Sequence, residues 1–331
     1  MTRAPVLASG LPVLAILLAA LAVWAMTVGA SEISPGEVAH ALWARAGGRV
    51  DLVVAEVRLP RVLAGIAVGA SLAAAGAIMQ AVTRNPLADP GLLGVNAGAA
   101  FAVVIALAFF DVTAAGTLIW AAFAGAAAAA LLVFSLGSAG RSGATPIKLV
   151  LAGVVVATFL GALTMSVLVL DAQTFDAVRL WTAGSLRGRQ LSELLALLPY
   201  AAIALLAALS ARAQFTLLSL GDDMARGLGQ NLAIWRAVAA VLVVALAGSA
   251  VAIAGPLAFV GLAAPHLARL AVGADYRWVL PYAILCGAGL TLLADTLPRA
   301  LLSRDVPVGV TLALIGAPLL VWLARARVER G

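Results

Sequence analysis

Ten apolar runs, each about 20 residues long and broken from the next by Gly, Pro or clustered charge, recur along this chain. They lie near 11–30, 60–82, 91–110, 115–137, 147–170, 191–211, 232–254, 256–272, 277–297 and 307–324. A run of that length matches the hydrocarbon thickness of a bilayer, where a backbone must satisfy its own hydrogen bonds, so each predicts a membrane-spanning helix. With 64% hydrophobic and 11% charged residues among 331, too little polar sequence remains to clothe a water-soluble domain. The expected fold class is all-α: a polytopic membrane protein of about ten transmembrane helices, forming a single transmembrane domain over 1–331.

The residues that are scarce narrow the chemistry. The single cysteine, Cys286, has no partner for an internal disulfide and lies among apolar neighbours. The only lysine, Lys148, follows Thr145-Pro146-Ile147 rather than a glycine-rich phosphate cradle, so any ATP hydrolysis must come from another chain. The first run ends Val28-Gly29-Ala30, which resembles a signal cleavage site, but its length favours an uncleaved span. With the N-terminus inside, 12 of the 21 basic residues, among them Arg3, Arg141, Arg325, Arg327 and Arg330, fall in inner segments. The other 9, Arg45 among them, fall outside. The positive-inside rule thus places both termini in the cytoplasm, and the outer arginines need a separate reason.

An offset of 179 aligns Gly69 with Gly248, Gly76 with Gly255, Pro86 with Pro265 and Gly94 with Gly273. Two such copies, over about 58–170 and 232–324, lie an odd number of spans apart and would run in opposite directions, as in inverted-repeat transporters. Coincidence in an Ala- and Gly-rich chain explains the match equally well. Gly65, Gly69, Ala73 and Gly76 share one helical face, where lack of bulk lets helices approach.

Three clusters stand out at the predicted ends of spans. Arg58-Leu59-Pro60-Arg61 puts two guanidinium groups on one face of a helix start, with Arg299 at the same outer level. Either they snorkel to the interface or their planar forks receive carboxylates from an arriving partner. The stretch from Gln80 through Gly91 gathers Arg84, Asn85, Pro86 and Asp89 at an inner end, where Asn85 and Asp89 either cap the next helix or form part of a functional loop. Within the longest inner loop, 212–231, Gly221 and Asp222 can open a helix that Gly227 or Gly229 can close. It reads either as a solvated connector or as one or two surface helices for a cytoplasmic partner. His266 reads as a hydrogen-bonded structural residue or a proton relay, and Asp295 as a helix-surface ion pair with Arg299 or a proton site.

Several stretches together resemble the iron-siderophore and vitamin B12 permease family, of FecCD type. They are Arg58-Leu59-Pro60-Arg61, the segment from Gln80 to Gly98, that from Arg179 to Ser185, that from Gly255 to Leu262, that from Pro265 to Arg269, and Pro307-Val308-Gly309 with Gly316-Ala317-Pro318. Leu92 to Gly98 and Gly273 to Trp278 look most like ferric enterobactin-type permeases, within a framework shared with haem and B12 permeases. Asp305-Val306-Pro307 stands where many relatives carry Glu before Leu-Pro.

The resemblance implies a type II ABC importer permease of the bacterial inner membrane. Its expected partners are two ATP-binding subunits, a second permease subunit, an extracytoplasmic substrate-binding protein and membrane lipid, with no nucleic acid. No cofactor is expected on this chain, ATP and Mg belonging to the partner ATPase. It further implies that Arg58, Arg61 and Arg299 dock the binding protein. Gly221, Asp222, Asp223, Ala225, Arg226, Gly227, Leu228 and Gly229, with Arg84, Asn85 and Pro86, would couple to the ATPase. Gln80, Asn96, Trp181, Gly184, Ser185, Pro265 and His266 would line the gate or translocation path, with no catalytic or metal-binding residue. A proton-coupled carrier using His266 or Asp295, the reading from a different class, would need ionisable groups deep within spans that are nearly free of them.

Overall fold

The computed structural model describes residues 4–29, 31–44, 47–139, 146–302 and 304–328, and among them every regular element is a helix. Arg3, Arg45, Arg141 and Arg330 of the charge count lie outside the described residues.

Each of the ten apolar runs contains a helix. In chain order, α1 (Ala4–Thr27) and α2 (Pro35–Trp43) precede α3 (Arg49–Leu52), which passes through a π turn (Val53–Arg58) into α4 (Leu59–Thr83). A 3₁₀ turn (Pro90–Leu93) leads to α5 (Val95–Phe110), α6 (Ala115–Ser138) and α7 (Pro146–Leu170). Then come α8 (Ala172–Thr182), α9 (Leu191–Ser210), α10 (Arg212–Ser219) and α11 (Asp222–Gly227). The chain closes with α12 (Leu232–Ala254), α13 (Val260–Val272), α14 (Tyr276–Leu302) and α15 (Val308–Val328). Among the described residues seven helices are long and apolar enough to cross a membrane, whereas α5, α13 and the apolar part of α15 are shorter.

Two boundaries differ from the sequence reading. Pro60 does not begin a helix: 49–83 is one continuous rod. Proline cannot donate to the carbonyl four residues back, and the preceding turn widens to a π register, in which the Leu59 N–H donates to Val54 O. The run at 256–272 is helical only from Val260 onward, because Gly255 ends α12 at φ +76° and residues up to Phe259 are irregular. Non-helical backbone at membrane depth is tolerated where protein covers it.

α4 is buried on nearly all sides and packs against α12, α13 and α14, which is why it is apolar all round. Its small residues are the points of closest approach. A Cβ on Gly69 would lie 2.2 Å from Gly287 O, and one on Gly76 would lie 1.9 Å from Gly261 O. The glycines aligned by the internal offset play different parts, since a Cβ on Gly248 would meet side chains at no less than 3.4 Å, the Phe123 ring nearest, and Gly255 is a helix terminator.

Candidate functional site

Leu59 and Thr83 close opposite ends of α4, about 36 Å apart at 1.5 Å per residue. One end carries Arg58, Arg61 and Arg299. Arg61 Nε and Nη2 donate to Asp295 Oδ2 and Oδ1, each at 2.9 Å, and its Nη1 donates to Asp305 Oδ1 at 2.9 Å. Arg299 Nη2 donates to Asp295 Oδ2 at 3.0 Å, and its Nη1 to Val28 O at 2.8 Å. Arg58 donates to Met26 O and Ser31 O. The arginines thus tie the turn after α1 to α14 and to the start of α4.

This corrects two expectations. The guanidinium forks of Arg58, Arg61 and Arg299 are not held open toward solvent, because Arg58 and Arg299 are buried and the forks are occupied by groups of the same chain. Asp295 does pair with Arg299, but at 1% exposure it is an interior carboxylate shared with Arg61 rather than a helix-surface partner. Asp305 is the exposed member of the network, at 38%.

At the other end of α4, Arg84 takes φ +53° and stops the helix. Asp89 Oδ1 accepts from the Gly91 N–H at 2.8 Å and caps the 3₁₀ turn that follows, whereas Asn85 Oδ1 accepts from the Leu87 N–H at 2.9 Å and closes a turn without capping a helix. Gln80, nearly fully buried, donates through Nε2 to Ala88 O at 3.3 Å and Gly261 O at 3.1 Å. It thereby fastens this loop and the start of α13 to α4. Beside them opens a cavity of about 530 Å³ reached by Arg84, Pro86, Ser219, Arg269 and Tyr276.

Burial pushes the Asp89 carboxyl up to about 6 from 3.8, against the pull of the Gly91 N–H. A carboxyl raised on folding contributes stability that is complete below its unfolded value and lost as pH rises through about 6. Asp89→Asn keeps an acceptor for Gly91 without the charge. Its thermal midpoint in detergent should stay flat between about pH 4 and about pH 7 while the parent's falls, a difference of ~3 kcal/mol at most. Parallel pH profiles for the two proteins would remove this assignment.

The segment 212–231 folds as two short helices clipped to the bundle. Thr216 Oγ1 donates to Asp275 Oδ1 and accepts from the Tyr276 N–H, both at 3.1 Å. Burial raises the Asp275 carboxyl, but Arg277 and Thr216 more than offset it and hold the group below its ordinary value. Gly221 opens α11 at φ +106°, a conformation glycine adopts without strain. Asp222 accepts from Arg236 Nη2 at 2.8 Å through both oxygens, with Arg84 at 4.0 Å. Asp223, Met224, Arg226, Gly227, Leu228 and Gly229 are exposed. Ala225 is the exception to the predicted coupling set, because it faces inward and is fully buried.

The residues predicted along a path divide into two groups. Trp181, Gly184 and Ser185 meet the end of α12 and the start of α15: the Ser185 N–H donates to Ala254 O at 2.8 Å and the Gly309 N–H to Gly184 O at 3.1 Å. A Cβ on Gly255 would lie 2.1 Å from Trp181 O. Gln80 belongs instead with Gly261, while Asn96 lies in the first turn of α5, and Pro265 is buried on α13 beside the half-buried His266, which has a partner within the protein. The irregular stretch 255–259 joins the two groups. Within it Phe259 holds φ +71°, a conformation a non-glycine residue rarely keeps without tertiary support.

Sequence reasoning missed Arg236, Thr216 and the helix α2. The last had a signal: Ser34 and Glu37 form a capping box ahead of the apolar Val38 and Ala41. Arg236 and Thr216 had none, since their partners are set by packing.

Comparison with known proteins bears on this arrangement. Residues 16–326 match the model of the FecCD transport family. The siderophore transport system permease protein YfiZ of Bacillus subtilis is 47% identical over 280 residues, covering 84% of each chain. The ferric enterobactin transport system permease protein FepD of Escherichia coli is 41% identical, over 98% of this chain and 97% of its own. The hemin transport system permease protein HmuU of Yersinia pestis is 41% identical over 83% of this chain and 84% of its own. Among solved structures, a metal-chelate type ABC transporter in an inward-facing conformation superposes with a TM-score of 0.84 at 30% identity, over 96% of this chain and 99% of its own.

Proposed function

The chain belongs to the FecCD transport family of membrane permeases, and from that premise we propose that it moves a ferric siderophore, of the catecholate class, across the bacterial cytoplasmic membrane. It works as the transmembrane subunit of an ATP-driven importer. Two ATPase chains holding ATP and Mg, a second permease subunit and a substrate-binding protein complete the assembly. The substrate class rests on likeness to the enterobactin and siderophore permeases.

One observation carries the mechanism: α10 and α11 are fastened to the bundle at Thr216–Asp275 and Asp222–Arg236, while α11 turns Asp223, Met224, Arg226 and Gly227 outward. A short helix held at its root and free on its outer face transmits a push from a partner into the helices behind it. Closure and reopening of the ATPase dimer would move α11, and through Arg236 the bundle, between outward and inward access. At the far end an arriving carboxylate would meet Asp305 first and take its place at Arg61, since the deeper guanidinium contacts are closed.

Proteoliposomes containing this chain, its ATPase and its binding protein are expected to accumulate radiolabelled iron supplied as a ferric catecholate when ATP is trapped inside. The expected stimulation over ATP-free vesicles is at least about tenfold, a transition-state difference of ~1.4 kcal/mol. Uptake driven by a proton gradient alone would overturn the importer reading. ATP-driven uptake of hemin but not of the catecholate would keep the class and replace the cargo.

A further inference from the structure

A second cavity, of about 420 Å³, lies between α4, α6 and α12 and is lined by apolar groups including Leu93, Phe123, Phe134, Leu149 and Val244. Its rim carries Leu131 and Val241, each 67% exposed on a membrane-crossing helix, so the cavity opens sideways into the bilayer. Two polar residues reach it. Thr83 spends its hydroxyl hydrogen on Met79 O at 2.7 Å, which leaves Arg236 as the group a ligand would meet.

Arg236 sits in the second turn of α12, at the end of the bundle that carries α10 and α11. Its Nη2 alone is committed to Asp222, and Nε and Nη1 have no partner among the described residues. Arg84 lies 4.0 Å from the same carboxylate, so two guanidinium groups share one negative charge. From Arg236 the lining continues along α12 to Val244, about 12 Å deeper.

We propose that this cavity binds an anionic phospholipid, with its phosphate at Arg236 and one acyl chain laid against α6 and α12. The site demands a molecule that is negative at the membrane surface and apolar for about 12 Å inward, and that is open to the bilayer on its long side. A lipid phosphate there joins the pair that holds Asp222, so bound lipid stiffens the root of α11. The proposal requires only that the chain spans a membrane and is independent of the siderophore reading.

The test uses the full-length chain, exchanged into vesicles of equal phosphatidylglycerol and phosphatidylcholine, then released and weighed with its retained lipid by native mass spectrometry. The parent should keep phosphatidylglycerol over phosphatidylcholine by roughly fivefold, the effect of one arginine near a membrane surface. Arg236→Gln should bring the ratio to about one while still retaining lipid. Ala127→Phe fills the cavity from α6 without touching the charge, and should lose retained lipid of both kinds. No headgroup preference in the parent, or a preference that both variants preserve, would overturn the site. Loss of paired chains in Ala127→Phe, with no lipid kept by the parent, would give the cavity to a second copy and equally overturn it.

Discussion

Asp295→Ala is expected to cost about 3–5 kcal/mol and leave little folded protein after extraction, the largest single effect among the charged residues. The carboxylate is 1% exposed and accepts from both Arg61 and Arg299. Removing it leaves the buried Arg299 without its carboxylate and Arg61 with Asp305 alone, on its exposed side. Arg299 also holds Val28 O, so the turn after α1 loosens with it. Asp305→Ala breaks a contact with the same Arg61, but on the exposed side, and should cost no more than about 1 kcal/mol. Thermal unfolding in one detergent compares the two directly. Equal midpoints for the two variants would mean that the network is solvated and that its burial does not govern stability.

Gly76→Ala should be nearly as damaging, although it adds a single carbon. The new Cβ would fall 1.9 Å from Gly261 O, a backbone atom that also accepts from Gln80, so neither helix can give way by turning a side chain. Separating α4 from α13 to make room would cost about 3 kcal/mol or more, the upper range for an overpacked core. Gly289→Ala is the control, because nothing lies within 4 Å of its Cβ and the helical propensity of alanine should raise stability by up to ~1 kcal/mol. If both variants melt alike, the close approach at Gly76 is not a constraint. Should Gly76→Ala fold and still transport, the contact between α4 and α13 would be free to open during the cycle.

Much of the architecture was legible because its cause is local. An apolar run of bilayer length favours a helix, and each of the ten contains one, although that at 256–272 begins only at Val260. Within the loop 212–231 a helix was expected between Gly221 or Asp222 and Gly227 or Gly229, and α11 begins and ends among those residues because left-handed glycines and a first-turn aspartate act within a few residues. The errors arose where an outcome depends on what lies across the fold. Pro60 read as a helix start, but a π turn carries the rod through it. Ala225 read as part of a coupling surface, yet its side of α11 faces the bundle. The aligned glycines of the internal offset read as equivalents, while one is a contact point and another ends a helix.

The outer arginines show the division most sharply. Composition and spacing alone established an all-helical membrane chain with Arg58, Arg61 and Arg299 at one level and a glycine-bounded excursion at the other, since hydropathy and helical periodicity are properties of neighbours in sequence. Whether Arg61 and Arg299 are open forks or closed ones was decided by Asp295, 234 residues from Arg61, and Arg58 is closed by Met26 O and Ser31 O. The tertiary fold alone brings that carboxylate to the arginines and shuts both away from water. Desolvation is what makes the difference: the same ion pair is worth little in water and becomes costly to break once buried, and burial depends on every helix that closes over it.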